Sequence, residues 1–379
     1  MKTENVSLNC VRAVAAITVV LSHTRGYLMV PRDPDDGLIV QGAYALTSLG
    51  HGAVVMFFLL SGYFVGGSVF RAFAQQRFSW RRYLNARLVR LWLVLLPALI
   101  LTAGLDIFGH NLFATADAYA SRSSDLSIST FLGNAIFLQP SIVPAFGSNE
   151  ALWSLGYEFA YYLALPLLLT SVAGQAHPIA RLCAVSLLAI LLVLVDADVI
   201  YLSLPWFVGA AMAVHADWIV ANVQRLRRNA YIAGLALTSS VLLGAMLLVK
   251  FQAATVGNTT WGVYVLTGAG AAFIALLLPD RVPNPAFSKK IMRFFNGVSH
   301  SSYSIYAFHL PMLALMTAAM QTSLTDALPS NAMGWSIMTG ATIALCGAGH
   351  LLALITERQT ETVRRHIKTV LVFGEPKQI

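Results

Sequence analysis

The sequence contains very little charge. Only 11% of its 379 residues are Asp, Glu, Lys or Arg, whereas 57% are hydrophobic. Soluble domains carry about 25% charged residues, so this composition excludes a soluble enzyme or binding module. No polar stretch is long enough to form a separate soluble domain. We therefore predict an all-α, polytopic integral membrane protein with a single transmembrane domain over residues 1–379 and a short cytoplasmic tail from about residue 358.

Cysteine is also scarce. Cys10, Cys183 and Cys346 stand alone in apolar runs, with no CxxC spacing. This pattern excludes a disulfide framework or a zinc site, and we expect the three thiols to pack as small hydrophobic groups. The chain has no metal-ligand spacing, no nucleotide-binding glycine motif, no internal repeat and no inverted pair of broken helices.

Ten apolar segments are candidates for helices that cross a bilayer, which takes about 20 residues each. The first is too long for a signal peptide and has no small-residue cleavage site, so we expect a retained anchor. The segments are 8–30, 46–70, 88–108, 151–171, 179–196, 198–216, 231–249, 260–278, 297–320 and 334–356.

The basic residues predict the orientation. With the N-terminus in the cytoplasm, 20 of the 25 Lys and Arg residues fall on the cytoplasmic side and four on the outer side. A bias of this size is typical of cytoplasmic loops, and it predicts that both termini are cytoplasmic. The net charge of +8 is thus a topology signal, and we expect no nucleic-acid partner. The longest outer connection is 109–150, and its middle, LSISTFLGNAIFLQ, has the apolar spacing of a helix that lies along the membrane interface.

Two ionisable residues lie inside the first segment. An ionisable group at membrane depth costs about 2.5–3.5 kcal/mol, so it usually faces the protein interior. Arg12 and His23 are eleven residues apart, about three helical turns, so they share one face and lie about 16 Å apart. This arrangement suits a long anionic donor that enters from the cytosol, with its phosphates at Arg12 and its reactive end at His23. The alternative is a snorkelling arginine and a hydrogen-bonded structural histidine.

Two further polar residues are predicted at the depth of His23. Helical rise places Glu158 about 10 Å below the outer edge of its helix and His309 about 18 Å above the inner edge of its own. We therefore predict that His23, Glu158 and His309 line one cavity. A carboxylate beside an imidazole holds the tautomer that accepts a proton, although such pairs are also common as structural contacts.

A second cluster is predicted toward the cytoplasm. Arg87 and Arg90 share one side of their helix, and Ser61 precedes a glycine that permits close backbone approach. Together with Arg12 they could bind phosphates; ordinary cytoplasmic positive charge is the alternative for Arg87 and Arg90.

The aromatic residues near these positions are interpreted mainly as packing groups. This set comprises Trp153, Tyr161, Tyr162, Tyr303 and Tyr306. The candidates for the substrate site are His309, Trp153 and Tyr157.

These pieces together resemble the acyltransferase-3 membrane proteins, which O-acylate surface polysaccharides and related acceptors. The matching pieces are Arg12 with ten intervening residues before His23, FFLLSGYF at 57–64, RLVR at 87–90, LWSLGYEFAYYLALP at 152–166 and SHSSYSIYAFHLP at 299–311. They occur in family order across some 300 residues. One difference is His300, where the family more often has tyrosine.

The resemblance implies an enzyme of the bacterial inner membrane with no permanently bound cofactor and no metal. Its donor substrate would be acyl-CoA, most often acetyl-CoA, and its acceptor a carbohydrate hydroxyl of a surface polysaccharide or exopolysaccharide precursor. By position, His23 and Glu158 would be catalytic, and Arg12, Arg87, Arg90 and Ser61 would bind the donor. The expected partners are the bilayer, acyl-CoA, the carbohydrate and the polysaccharide biosynthesis machinery.

Several alternatives stay open. The donor could carry succinyl or another acyl group, and His23 could act as a general base or form an acyl-histidine intermediate. A proton-coupled transporter or flippase of polysaccharide precursors would also use intramembrane His and Glu, although it would be expected to show inverted repeats. A membrane scaffold would leave Arg12, His23 and Glu158 unexplained.

Overall fold

A computed structural model describes residues 5–114, 116, 119, 125–173, 176–255, 260–281, 285–323 and 327–372, with backbone alone at 253–255, 285–290, 323 and 367–372. The described chain is helical. We number the α-helices in chain order as α1 Val6–Leu28, α2 Leu38–Leu46, α3 Gly50–Ser61, α4 Gly67–Ala74, α5 Trp80–Leu112, α6 Ile128–Ala135, α7 Trp153–Val172, α8 Pro178–Leu194, α9 Ala197–Val214, α10 Ala216–Gln224, α11 Arg228–Thr255, α12 Thr260–Leu277, α13 Pro285–Ser299, α14 Ser302–Ser323, α15 Ala332–Ile355 and α16 Thr360–Val372.

The predicted fold class is confirmed. Within the described residues, nine helical segments are long and apolar enough to cross a membrane. The tenth predicted span is present as α8, whose 17 residues are at the short end of the 17–25 that a transmembrane helix uses. Pairing of β type in these residues is confined to one isolated bridge between Met29 and Leu328. Which side faces the cytoplasm stays a prediction.

Several predicted boundaries were wrong. The span predicted at 46–70 covers Leu38–Ala74 and is divided into α2, α3, a π-helical turn at Gly62–Gly66, and α4. The helix predicted from 297 begins at Ser302. Regions predicted as cytoplasmic loops and tail contain the short helices α10, α13 and α16. The outer segment forms α6 as the periodicity indicated, and its position at the membrane interface stays a prediction.

Helix α1 is the central element of the bundle. It packs against α3, α13, α14 and α15, and Ala13, Ala16 and Val20 on it are completely buried. These small side chains let neighbouring helices approach closely, as is common between helices in membranes. The sequence therefore places Arg12 and His23 on a helix with neighbours on several sides that can supply partners.

The beginning of α1 is fixed to the end of α12. The Asn5 side chain accepts a hydrogen bond from the Leu8 amide at 2.9 Å, which caps the helix. The Asp280 carboxylate accepts from the amides of Val6 and Ser7 at 3.1 and 3.0 Å. These contacts satisfy amides that the first turn of a helix leaves without partners, so they set the register of Arg12 and His23 in the bundle.

The π-helical turn lies where α3 meets α9. A Cβ atom at Gly62 would lie 1.8 Å from the Trp206 carbonyl oxygen, so only glycine permits this contact. The expectation of a close backbone approach at this glycine is thus confirmed. It brings the indole of Trp206 within 3.2 Å of the Ser61 hydroxyl, to which Nε1 donates a hydrogen bond.

Candidate functional site

A cavity of about 400 Å³ lies between α1, α3, α5, α7 and α14. It extends from Asn5 and the exposed His300 at one end to Ser154 and Tyr306 at the other. Its polar lining is Asn5, Asn9, Arg12, Ser61, Arg87, Arg90, Ser154, Glu158, Tyr162, His300, Ser302, Tyr303 and Tyr306. All four residues predicted to bind the donor, Arg12, Ser61, Arg87 and Arg90, therefore line one cavity.

Three guanidinium groups in this cavity have few partners. Arg12 makes one long contact, 3.4 Å from Nη2 to the Ser302 hydroxyl. Arg87 lies 5.8 Å from the centre of the Tyr83 ring, and its buried Nε has no hydrogen-bond partner. Among the described residues Arg90 forms no hydrogen bond or ion pair. Since guanidinium groups bind phosphate and carboxylate with two parallel hydrogen bonds, this surplus of donors fits a polyanionic ligand.

Glu158 lies in the wall of the same cavity. Its Oε1 accepts hydrogen bonds from the Tyr162 hydroxyl at 2.6 Å and from the Ser61 hydroxyl. Ser61 in turn accepts from Trp206. The serine thus lines the cavity as predicted, but its hydroxyl proton is directed to Glu158 instead of a ligand.

His23 is hydrogen-bonded to His309. The distance from His23 Nδ1 to His309 Nε2 is 2.7 Å, and the two rings are nearly parallel, at 10°. His309 is completely buried, and its Nδ1 lies 2.7 Å from the carbonyl oxygen of Tyr306. The predicted proximity of these two histidines is confirmed.

The carbonyl of Tyr306 determines the tautomers of both neutral rings. A carbonyl oxygen can only accept, so His309 Nδ1 carries a proton and donates it. His309 Nε2 then accepts the hydrogen bond from His23 Nδ1–H. This leaves the lone pair of His23 on Nε2, which is the arrangement that a general base needs.

The predicted pairing of Glu158 with His23 was wrong. The ring partner of His23 is His309, and the hydrogen bonds of Glu158 go to Ser61 and Tyr162. The depth estimate gave the position of each residue along its helix but not the neighbours that its side chain faces. On α7, Glu158 faces Ser61 of α3 and Tyr162 of its own helix.

Tyr306 contacts both the cavity and the histidine pair. Its ring lines the cavity and lies 5.8 Å from that of His309, while neither histidine lines the cavity. The prediction that both histidines line one cavity with Glu158 was therefore wrong for this cavity. The Tyr306 hydroxyl donates to the Ala151 carbonyl at 2.6 Å and pairs with the Ser154 hydroxyl at 2.7 Å. One residue therefore lines the cavity with its side chain and orients His309 with its backbone.

Trp153 and Tyr157 are packing residues in this structure, and neither lines the cavity. The Trp153 ring lies 6.2 Å from that of His51 and packs edge-on against Phe58 and Tyr157. Their assignment to the substrate site therefore stays a prediction. In the structure they pack at the first turns of α7.

Sequence reasoning missed Glu357. This carboxylate lies in a 3₁₀ turn, Glu357–Gln359, after α15, and it lies near Arg12 and Arg90 electrostatically. The available signal was an acidic residue directly after the apolar run LLALIT, at an end of the bundle where the other charges are basic.

Comparison with known proteins identifies relatives. A family described as an acyltransferase domain matches residues 5–351. A protein described as an O-acetyl transferase, from Shigella phage Sf6, is 27% identical over 237 residues, which cover 56% of this chain and 64% of that relative. No solved structure matches the chain significantly.

Proposed function

Because the chain belongs to the family of acyltransferase domains, we propose that it is a membrane O-acyltransferase that uses acyl-CoA as its donor. The observation that carries the proposal is the cavity in which Arg12, Arg87 and Arg90 present guanidinium groups with few protein partners. CoA carries several phosphate charges at one end and the thioester at the other. A cavity with its cations toward one end and a histidine pair beyond its other end matches that shape.

The histidine pair supports a general-base mechanism. His23 Nε2 removes the proton of an acceptor hydroxyl, and the resulting oxygen attacks the thioester carbonyl carbon. The carbon–sulfur bond breaks, and the CoA sulfur leaves with the proton that His23 Nε2 returns. While His23 is protonated, His309 Nε2 accepts from its Nδ1–H and stabilises the imidazolium. An acyl-histidine intermediate at the same Nε2 is the alternative.

For the acyl group and the acceptor we propose acetyl and a carbohydrate hydroxyl of a surface polysaccharide or exopolysaccharide precursor. The description of the phage relative as an O-acetyl transferase supports an acetyl group and an oxygen acceptor. The carbohydrate and its location outside the bacterial inner membrane rest on the family resemblance and on the predicted orientation, in which the donor cavity opens to the cytosol.

The test is release of free thiol from acetyl-CoA by the purified protein in detergent or nanodiscs, with no gradient imposed. We expect thiol release that increases with added polysaccharide acceptor and falls in Arg90→Ala. Arg82→Ala is the matched control, since Arg82 is exposed on the same helix and does not line the cavity. A protein that binds no CoA and releases no thiol, yet moves a polysaccharide precursor across vesicles, would contradict the proposal and favour transport.

A further inference from the structure

We propose that Glu357 is a second counter-charge of the anion site, beside Glu158 in the cavity wall: it stabilises Arg12 and Arg90 when no donor is bound and limits how tightly the donor is held. This inference rests on the proposed function, because it assigns a role within the same donor site. Glu357 does not line the cavity; it acts through the two arginines, so it is a positioning residue.

The position of Glu357 is fixed by hydrogen bonds. Its Oε2 accepts from the Ser304 amide at 3.1 Å and from the Ser304 hydroxyl at 3.3 Å. Ser304 is completely buried in the first turn of α14, where helix amides have no helical partners and an anion is favoured. The adjacent Thr356 hydroxyl contacts that of Ser304 at 3.1 Å. The carboxylate is therefore held at the beginning of the helix that carries Tyr306 and His309.

The charges around Glu357 are the guanidinium groups of the cavity. The turn that carries Glu357 packs against α5, the helix of Arg90, and Glu357 is bonded to Ser304, two residues after the Ser302 that contacts Arg12. The carboxylate forms an ion pair with neither arginine among the described residues, so it acts on both through its field. A direct ion pair would occupy the guanidinium hydrogen-bond donors. At this longer range the carboxylate contributes its field, and the donors stay directed at the cavity.

This field has opposite effects on the empty and the occupied site. Arg12 and Arg90 carry like charges, line the same cavity and are both partly buried, so their mutual repulsion is costly. Glu357 offsets it when the cavity is empty. Once the phosphates of a donor supply negative charge, the same carboxylate repels them. Glu357 should therefore weaken donor binding and favour release of the CoA product.

The test is Glu357→Gln, which keeps the size of the side chain and an oxygen that accepts from Ser304 but removes the charge. We expect the dissociation constant for coenzyme A to fall by about tenfold, the KM for acetyl-CoA to fall with it, and the Tm of the empty protein to fall. Glu361→Gln is the matched control, because Glu361 is exposed and pairs with Arg364 at 2.7 Å. It should leave the coenzyme A dissociation constant unchanged.

A second variant separates charge from helix capping. Ser304→Ala removes one hydrogen bond to Glu357 and keeps the carboxylate, so it should lower the Tm while coenzyme A affinity stays near wild type. If Glu357→Gln behaves like Ser304→Ala, or weakens coenzyme A binding, the inference is wrong and Glu357 is a capping residue. That result leaves the donor site intact as long as Arg90→Ala still weakens binding. If Arg90→Ala has no effect either, the proposed donor site itself is wrong and the inference falls with it.

Discussion

The cavity at Arg12 and the histidine pair at His23 differ in how their polar groups are satisfied. In the cavity, three guanidinium groups share one long hydrogen bond, to Ser302, and one ring contact, with Tyr83. In the histidine pair, His23 Nδ1 lies 2.7 Å from His309 Nε2. The Tyr306 carbonyl accepts from His309 Nδ1 and so determines which ring nitrogen donates each hydrogen bond. The first region presents donors that few protein groups satisfy, whereas the donors and acceptors of the second are paired with each other.

The difference corresponds to two tasks. A binding region gains affinity when charged hydrogen-bonding groups are left for the ligand to satisfy, whereas a catalytic base gains rate when its tautomer and orientation are set beforehand. Tyr306 stands at the boundary between the two regions. Substitutions in the two regions should therefore change different kinetic constants.

The largest effect is expected at the catalytic end. His23→Ala removes the proposed base, and general acid–base groups contribute about 10²–10⁴-fold. We expect kcat to fall by that factor while coenzyme A binds as in wild type, measured by thiol release and by calorimetry. His366→Ala, at an exposed histidine in α16, should have no effect. Turnover within about threefold of wild type in His23→Ala would remove His23 from the chemistry.

His309→Gln should produce the next largest loss. Glutamine can accept from His23 Nδ1–H, but it lacks the rigid link from the Tyr306 carbonyl through the ring. We expect kcat to fall by about 100-fold with the KM for donor unchanged, because the tautomer of His23 is no longer fixed. An increase in donor KM with normal kcat would instead place His309 in a binding role.

A smaller effect, on affinity alone, is expected in the cavity. Arg90→Ala should weaken coenzyme A binding by about tenfold or more, since a charged hydrogen bond is worth about 1.5–3 kcal/mol. Arg90→Lys should restore only part of the affinity for coenzyme A, because an ammonium group cannot bind phosphate through two parallel donors. Equal losses in Arg90→Ala and in Arg82→Ala would indicate a general charge effect and no specific site.

The sequence predicted what depends on helical repeats and on the cost of buried charge. Ten helical spans, the shared face of Arg12 and His23, and the meeting of His23 with His309 all follow from those rules. It failed where tertiary packing overrides residue counting. Tertiary packing gives Glu158 the partners Ser61 and Tyr162 in place of His23, and it places the turn of Glu357 against the helix of Arg90. Helical periodicity alone predicts neither of these two tertiary contacts.

Glu158→Gln tests that correction most directly and should have the smallest effect on turnover. Glutamine still offers an oxygen to the Ser61 and Tyr162 hydroxyls, which are the partners of Glu158 Oε1, so the wall of the cavity should keep its shape. The lost charge shares the cavity with Arg12 and would lie near the phosphates of the proposed donor. We therefore expect coenzyme A affinity to rise by about threefold, with kcat within threefold of wild type, since a change of about 0.7 kcal/mol fits a screened, longer-range charge.

Tyr162→Phe is the control, because it removes one hydrogen bond to the same carboxylate and keeps the charge. A 100-fold loss of kcat in Glu158→Gln, with affinity unchanged, would restore the carboxylate as the group that orients His23.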